Sequence, residues 1–160
     1  WLDLAALCPD RASLEKVEDI VQQLRTSGGS SSITAETEWI VKCFKGHTLM
    51  EQQEHENAIS IFEELLQTFH NSTYIRSALA KTHYNALQYD QSKKFYEDLR
   101  SNDPYRLDGM DLYSNILFVK GLRAPLSHLA HEAMKIDKYR PQTCCIVGNY
   151  YALKGKILFF

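Results

Sequence analysis

Apolar residues along this chain recur at intervals of three and four, the spacing that gathers one face of an α-helix. Leu14, Val17, Val21 and Leu24 form the first such stripe, with Ser13 placed as an N-cap and Pro9-Asp10 as a stop before it. The polar run Ser27-Gly28-Gly29-Ser30-Ser31-Ser32 then interrupts the pattern and reads as a flexible linker. Beyond it, the periodicity predicts helices at about 38–50, 57–69, 73–87, 91–100, 108–120, 126–136 and 141–153. The alternation of a half-buried strand is absent. Short connectors between helices of this length predict an all-α chain of αα-hairpins.

That rhythm repeats every 34 residues when Trp39 is taken as position 1. Position 8 then holds Gly46, Ala80, Ser114 and Gly148, all small. Position 11 holds Leu49, His83, Leu117 and Tyr151; position 24 holds Phe62, Tyr96 and Ala130; position 27 holds Leu65, Leu99 and Ala133. Gly121 and Gly155 fall at position 15, and Pro104 at position 32. These columns match the tetratricopeptide repeat (TPR), two antiparallel helices A and B per unit. Two helix axes approach closely only where small side chains meet, which position 8 on helix A and position 20 on helix B (Ala58, Ser92) provide. Glycine at 15 is expected to turn the chain out of helix A, and proline at 32 to stop helix B. The third unit departs from the pattern, with Leu126 at position 20 and Lys138 at 32, so its helix B is expected to sit shifted or lower in the stack.

The expected fold is therefore a TPR α-α superhelix, a solenoid of helix-turn-helix hairpins. Residues 1–32 would form an N-terminal helical segment and linker, and 33–160 the array, with units 39–72, 73–106, 107–140 and a truncated 141–160. The chain opens on Trp1 and stops where the fourth helix B should begin, so a partial chain is expected. Its apolar end, Ile157-Leu158-Phe159-Phe160, stands where an array needs a polar cap. That end is expected to fray or to bind another chain, and the isolated chain to self-associate.

Composition narrows the function. With 160 residues, 44% apolar and 24% charged, the chain can bury a core and is not wholly disordered. A net charge of −2 without a basic stripe argues against nucleic-acid binding, and no apolar run approaches the ~20 residues of a membrane span. Cys8, Cys43, Cys144 and Cys145 lack metal-ligand spacing, and the adjacent pair would point ~100° apart on a helix. Buried free thiols are expected, with neither disulfides nor zinc. Asn71-Ser72-Thr73 fits an N-glycosylation pattern, but no leader accompanies it. The expected location is the nucleus and cytoplasm.

Several strings are not dictated by repeat packing. These are Asp103-Pro104-Tyr105-Arg106, Met110-Asp111, Tyr113-Ser114-Asn115, and Leu126-Ser127-His128-Leu129-Ala130-His131. Further on come Ile136-Asp137-Lys138-Tyr139-Arg140 and the run Thr143-Cys144-Cys145-Ile146-Val147-Gly148-Asn149-Tyr150-Tyr151. Together they resemble the TPR subunit eight family of the anaphase-promoting complex, the cell division cycle protein 23 homologues. The resemblance covers about 74–153; over 39–71 only the repeat pattern carries it. It implies a non-catalytic scaffold in a ubiquitin ligase that drives mitotic exit, with other TPR subunits as partners and a homodimeric parent. A separate cullin/RING pair would transfer ubiquitin, and no cofactor is implied.

The concave face of a TPR array is lined by helix A positions 2, 5, 9 and 12. The candidate groove is therefore Tyr74, Ser77, Lys81 and Tyr84; then Asp108, Asp111, Asn115 and Phe118; then Gln142, Cys145, Asn149 and Ala152. Asn115 and Asn149 resemble the asparagines with which co-chaperone TPR domains hold a peptide carboxylate, the alternative function. A clamp needs cations at position 5, where Ser77, Asp111 and Cys145 stand instead. His128 and His131 share a helix face beside Glu132 but lack the further ligands of a metal site. His83 reads as packing, and Glu51, Glu54 and Glu56 as a solvated loop. No nucleophile, base and orienting group can be assembled, so no catalytic residue is expected.

Overall fold

A computed structural model describes residues 31–156 and, upstream, residues 12, 13, 15–17, 19, 20 and 23. The upstream residues described are helical, but Leu14, Val21, Leu24 and the Ile157–Phe160 tail lie outside the described residues. No strand occurs among the described residues. The helices are α1 (Ser31–Glu51), α2 (His55–Thr68), α3 (Thr73–Asn85), α4 (Tyr89–Asn102), α5 (Met110–Val119), α6 (Arg123–Ile136) and α7 (Pro141–Lys156). They fall into two compact units, Trp1–Ala86 and Leu87–Phe160. The division lies inside the second 34-residue unit, because a helix packs on the helix of the adjoining hairpin as well as on its own partner.

Within the first compact unit, α2 packs against both α1 and α3. Its stripe Ala58, Phe62 and Leu65 is buried at 0–2% exposure. The ring of Phe62 lies directly over Gly46 of α1: a β-carbon there would sit 2.8 Å from Phe62 Cζ. Glycine at 46 is thus what admits the Phe62 ring so close to α1, and burying that ring contributes about 2–3 kcal/mol. The Thr82 hydroxyl of α3 donates to the Ala78 carbonyl (2.8 Å) and reaches Met50 Sδ (3.5 Å). Ser72 caps α3, its Oγ accepting from Ile75 N at 3.4 Å.

In the second compact unit, α5 packs with α4, α6 and α7, and α6 with α7. Ser92, Tyr96 and Leu99 of α4 and Leu126, Ala130 and Ala133 of α6 are buried at the register positions that α2 buries. The third helix B keeps its bounds in register along the sequence. α2, α4 and α6 begin at His55, Tyr89 and Arg123 and end at Thr68, Asn102 and Ile136, each 34 residues apart. Within the stripe the large side chain moves: Ala58 is replaced by Leu126 one face-position early, while Phe62 and Leu65 give way to Ala130 and Ala133.

The connectors differ from expectation in an informative way. Position 15 is left-handed in each described connector from a helix A to the next helix B, at Gln53 (φ 63°), Leu87 (φ 61°) and Gly121 (φ 67°), although only one is glycine. At Gln53 and Gly121 the same pair of bonds closes the helix: Glu54 N to Leu49 O and Gln53 N to Met50 O, then Leu122 N to Leu117 O and Gly121 N to Phe118 O. A non-glycine residue there costs roughly 1 kcal/mol, offset by packing of the returning helix. Gly155, the fourth residue of that column, instead lies within α7. Glycine permits the turn; the packed helix that follows imposes it. Pro104 follows the end of α4, yet α6 stops equally well with Lys138 in its place.

Other boundaries move for local reasons. α1 begins at Ser31 rather than about 38, so the end of the polar run is helical; Ala35, Glu36 and Glu38 are good helix formers. α5 begins at Met110 because Gly109 is left-handed (φ 80°) and Met110 N closes a turn on Leu107 O. Asp108 therefore precedes the helix on which it was expected. Cys43 is buried as anticipated, but Cys144 and Cys145 are exposed. α7 turns Thr143, Ile146 and Leu153 inward, and the two cysteines flank that stripe. Cys8 lies outside the described residues. No helix among the described residues is long and apolar enough to cross a membrane.

Candidate protein-interaction groove

The helix A positions that would line a groove differ in chemistry between the two compact units. In the first, Tyr74 opens α3 and its hydroxyl is hydrogen-bonded to His47 Nε2 of α1 at 2.6 Å. The His47 ring also meets Phe62 edge-on, with centroids 5.2 Å apart. Burial pushes the His47 imidazole down to about 4; the nearby Lys81 charge adds to this and Glu51 opposes it. Burial likewise pushes the Tyr74 phenol up to about 12. At neutral pH the pair is uncharged on both sides, suited to packing and orientation rather than proton transfer. Lys81 is exposed, while Ser77 and Tyr84 are half-buried on α3.

Reading the sequence from the second repeat onward missed His47 and Cys43. Both were findable, since they occupy positions 9 and 5 of the first repeat, one period before Lys81 and Ser77. Burial raises the Cys43 thiol above its ordinary range, which keeps it protonated.

In the second compact unit, Asn115 and Asn149 are brought together. The Asn149 amide donates to Asn115 Oδ1 at 2.7 Å and to Ser114 Oγ at 2.8 Å, and the Ser114 hydroxyl donates to the Asp111 carbonyl at 2.7 Å. Both amide hydrogens of Asn149 are thus spent inside the fold, leaving none for a peptide carboxylate. Asp111 and Phe118 are half-buried at the two ends of α5. Gln142 is half-buried on α7, and Cys145 and Ala152 are exposed there. Asp108 carries an ion pair with Arg140 at 3.4 Å.

The remaining polar clusters also have partners within the fold. Arg100 of α4 pairs with Glu132 of α6 and donates to His128 Nδ1 at 3.1 Å, while His128 Nε2 lies 3.3 Å from Glu132 Oε1. His131 Nδ1 is 2.7 Å from the Ser127 carbonyl oxygen. No group of three metal-ligating side chains occurs among the described residues. His83 is buried at 6% exposure. Tyr113, over Tyr96 at 5.9 Å between ring centroids, is pushed up to about 12 by burial, with the Glu97 charge adding to it.

No model of a known protein family matches the chain. It is 42% identical over 126 residues to anaphase-promoting complex subunit 8 of Arabidopsis thaliana, covering 79% of this chain and 22% of that protein. Against anaphase-promoting complex subunit 8 of Dictyostelium discoideum it is 41% identical over 155 residues, 96% of this chain and 24% of that protein. Against the human cell division cycle protein 23 homolog it is 33% identical over 137 residues, 85% of this chain and 20% of that protein. The chain spans about a quarter or less of the length of these relatives. All-helical hairpins in a 34-residue register, matched along most of the chain to proteins bearing these names, show that it belongs to the anaphase-promoting complex subunit 8, or cell division cycle protein 23, family.

Proposed function

We propose that the chain is a stretch of a TPR scaffold subunit of an anaphase-promoting complex, a ubiquitin ligase of mitosis. It acts by holding neighbouring subunits rather than by catalysis. The observation that carries this is identity of 41% along 96% of the chain with a protein named as subunit 8. The helical hairpins suit the role: stacked helices present broad, preorganised faces. Ubiquitin transfer belongs to other subunits in this reading, the full-length parent is a homodimer, and it resides in nucleus and cytoplasm.

Affinity purification of the tagged full-length parent, read by mass spectrometry, tests it. Recovery of a cullin, a RING protein and other TPR subunits is the expected result. Recovery of chaperones without them would sink the reading and favour a co-chaperone adaptor. Fractionation and imaging of the tagged parent test the location, and sedimentation its dimeric state.

A further inference from the structure

The first hairpin carries, at the end away from its turn, a feature that the later hairpins lack. Trp39 of α1 and Phe69, the residue after α2, meet edge-on with ring centroids 5.7 Å apart and planes at 69°. One and two periods later the same two positions hold Thr73 with Asp103 and Leu107 with Asp137. Those aspartates are used within their own connectors, accepting from Tyr105 N at 3.3 Å and Tyr139 N at 3.0 Å. In the first hairpin both rings stay partly open, Trp39 at 45% exposure and Phe69 at 37%. With buried Leu65 beside them they border a cleft of about 290 Å³. That is small for a whole ligand and suits one long side chain.

The rim of the cleft is acidic. Glu38 and Glu64 line it with one cation between them, Lys42, whose Nζ lies 2.7 Å from Glu64 Oε1 and 3.5 Å from Glu38 Oε1. Two carboxylates against one ammonium leave one negative charge in excess. The hydrogen bond to Glu64 is the main cause that raises the Lys42 pKa, as a site of negative potential requires. The second oxygen of each carboxylate has no partner among the described residues, and no cation lies over the Trp39 or Phe69 ring there. An open indole face beside unspent carboxylate oxygens is a receptor for positive charge.

We infer that this cleft takes a basic side chain, arginine or lysine, from a segment of a partner protein. Its cation would lie on the Trp39 indole and pair with the free carboxylate oxygens, and its aliphatic stem would run along Phe69 and Leu65. An acidic side chain would be repelled there, and an apolar one would leave the carboxylates desolvated without a partner. The inference rests on reading the chain as an interaction scaffold and names the chemistry of one of its contacts.

The test places the photocrosslinker p-benzoylphenylalanine at Thr68, an exposed residue of the cleft, in the full-length parent, irradiates cells, and maps the captured segments by mass spectrometry. One arginine or lysine of the captured segment is expected to hold it: glutamine at that partner position should lower the yield about tenfold, and alanine at its neighbours should not. On this chain, Glu38→Gln with Glu64→Gln, and separately Trp39→Leu, should each lower the yield at least about fivefold. No crosslink, capture of a second copy or of the parent's own residues, or a yield indifferent to the basic residue would overturn the inference. The partner-side substitution leaves this chain intact, so the test stands even where a melting temperature shows a variant to be unfolded. Complex membership is read from what co-purifies and the cleft from the residue that holds the crosslink, so either can fail without the other.

Discussion

The pairs His47–Tyr74 and Asn149–Asn115 sit at groove positions of one repeat register, each joining two successive A helices, yet they are held by different physics. In the first compact unit an imidazole packs edge-on to Phe62 and bonds a phenol, and burial pushes the imidazole down and the phenol up. In the second, amides and a hydroxyl satisfy one another at 2.7–2.8 Å. A repeat therefore specifies where a side chain stands without specifying its chemistry. The first pair is sensitive to acid, whereas the amides do not titrate.

The largest expected effect exploits that contrast. The folded His47 pKa lies near 4, below the ordinary 6.5, so the unfolded chain takes up a proton first as pH falls. This contribution to stability is complete above about 6.5, is lost progressively toward pH 4, and levels off below, amounting to about 2–3 kcal/mol. Denaturant melts of wild type and His47→Asn across that range should diverge in slope. Parallel curves would show that the imidazole is not desolvated.

Gly46→Val should cost about 1–3 kcal/mol, because its β-carbon would meet the Phe62 ring at 2.8 Å. Gly148→Ala, at the same register position of α7, meets nothing within 4 Å and should stabilise by up to about 1 kcal/mol through helix propensity. Melting temperatures moving the same way in both variants would refute the difference.

Asn149→Ala removes two hydrogen bonds and should cost about 1–2 kcal/mol, equally at pH 7 and pH 5. A cost that grew with acidity would break the comparison with His47. The smallest effect belongs to the connectors: Gln53→Gly and Leu87→Gly should each stabilise by about 0.5–1 kcal/mol by relieving a left-handed backbone. Chemical melts resolve that, and a loss in both variants would mean that the side chains contribute more than the strain.

The buried stripe of every helix B was legible in the sequence, since Ala58, Phe62 and Leu65 and their counterparts one and two periods later recur at fixed spacing. The pairing of Asn115 with Asn149 was half legible: register aligned them, but their mutual hydrogen bond depends on how closely α5 and α7 pack. His47 was legible as a position-9 residue of the first repeat, but its neutral state was not, since only a neighbouring helix supplies Tyr74 and removes its water. The exposed Cys144 and Cys145 went the other way, since composition alone favours burial of a thiol.

From the order of residues alone came the helical class, the 34-residue period, the small positions that let helices approach, and the doubled Asp-x-Tyr-Arg string. Periodicity along one chain is a local property, and the chain carries it whole. Tertiary structure decided which position-15 residues turn left-handed, that Gly155 stays helical, which helix B residues exchange large for small, and which polar side chains lose their water. Those outcomes depend on what the next helix brings into contact, and no single segment encodes its neighbour.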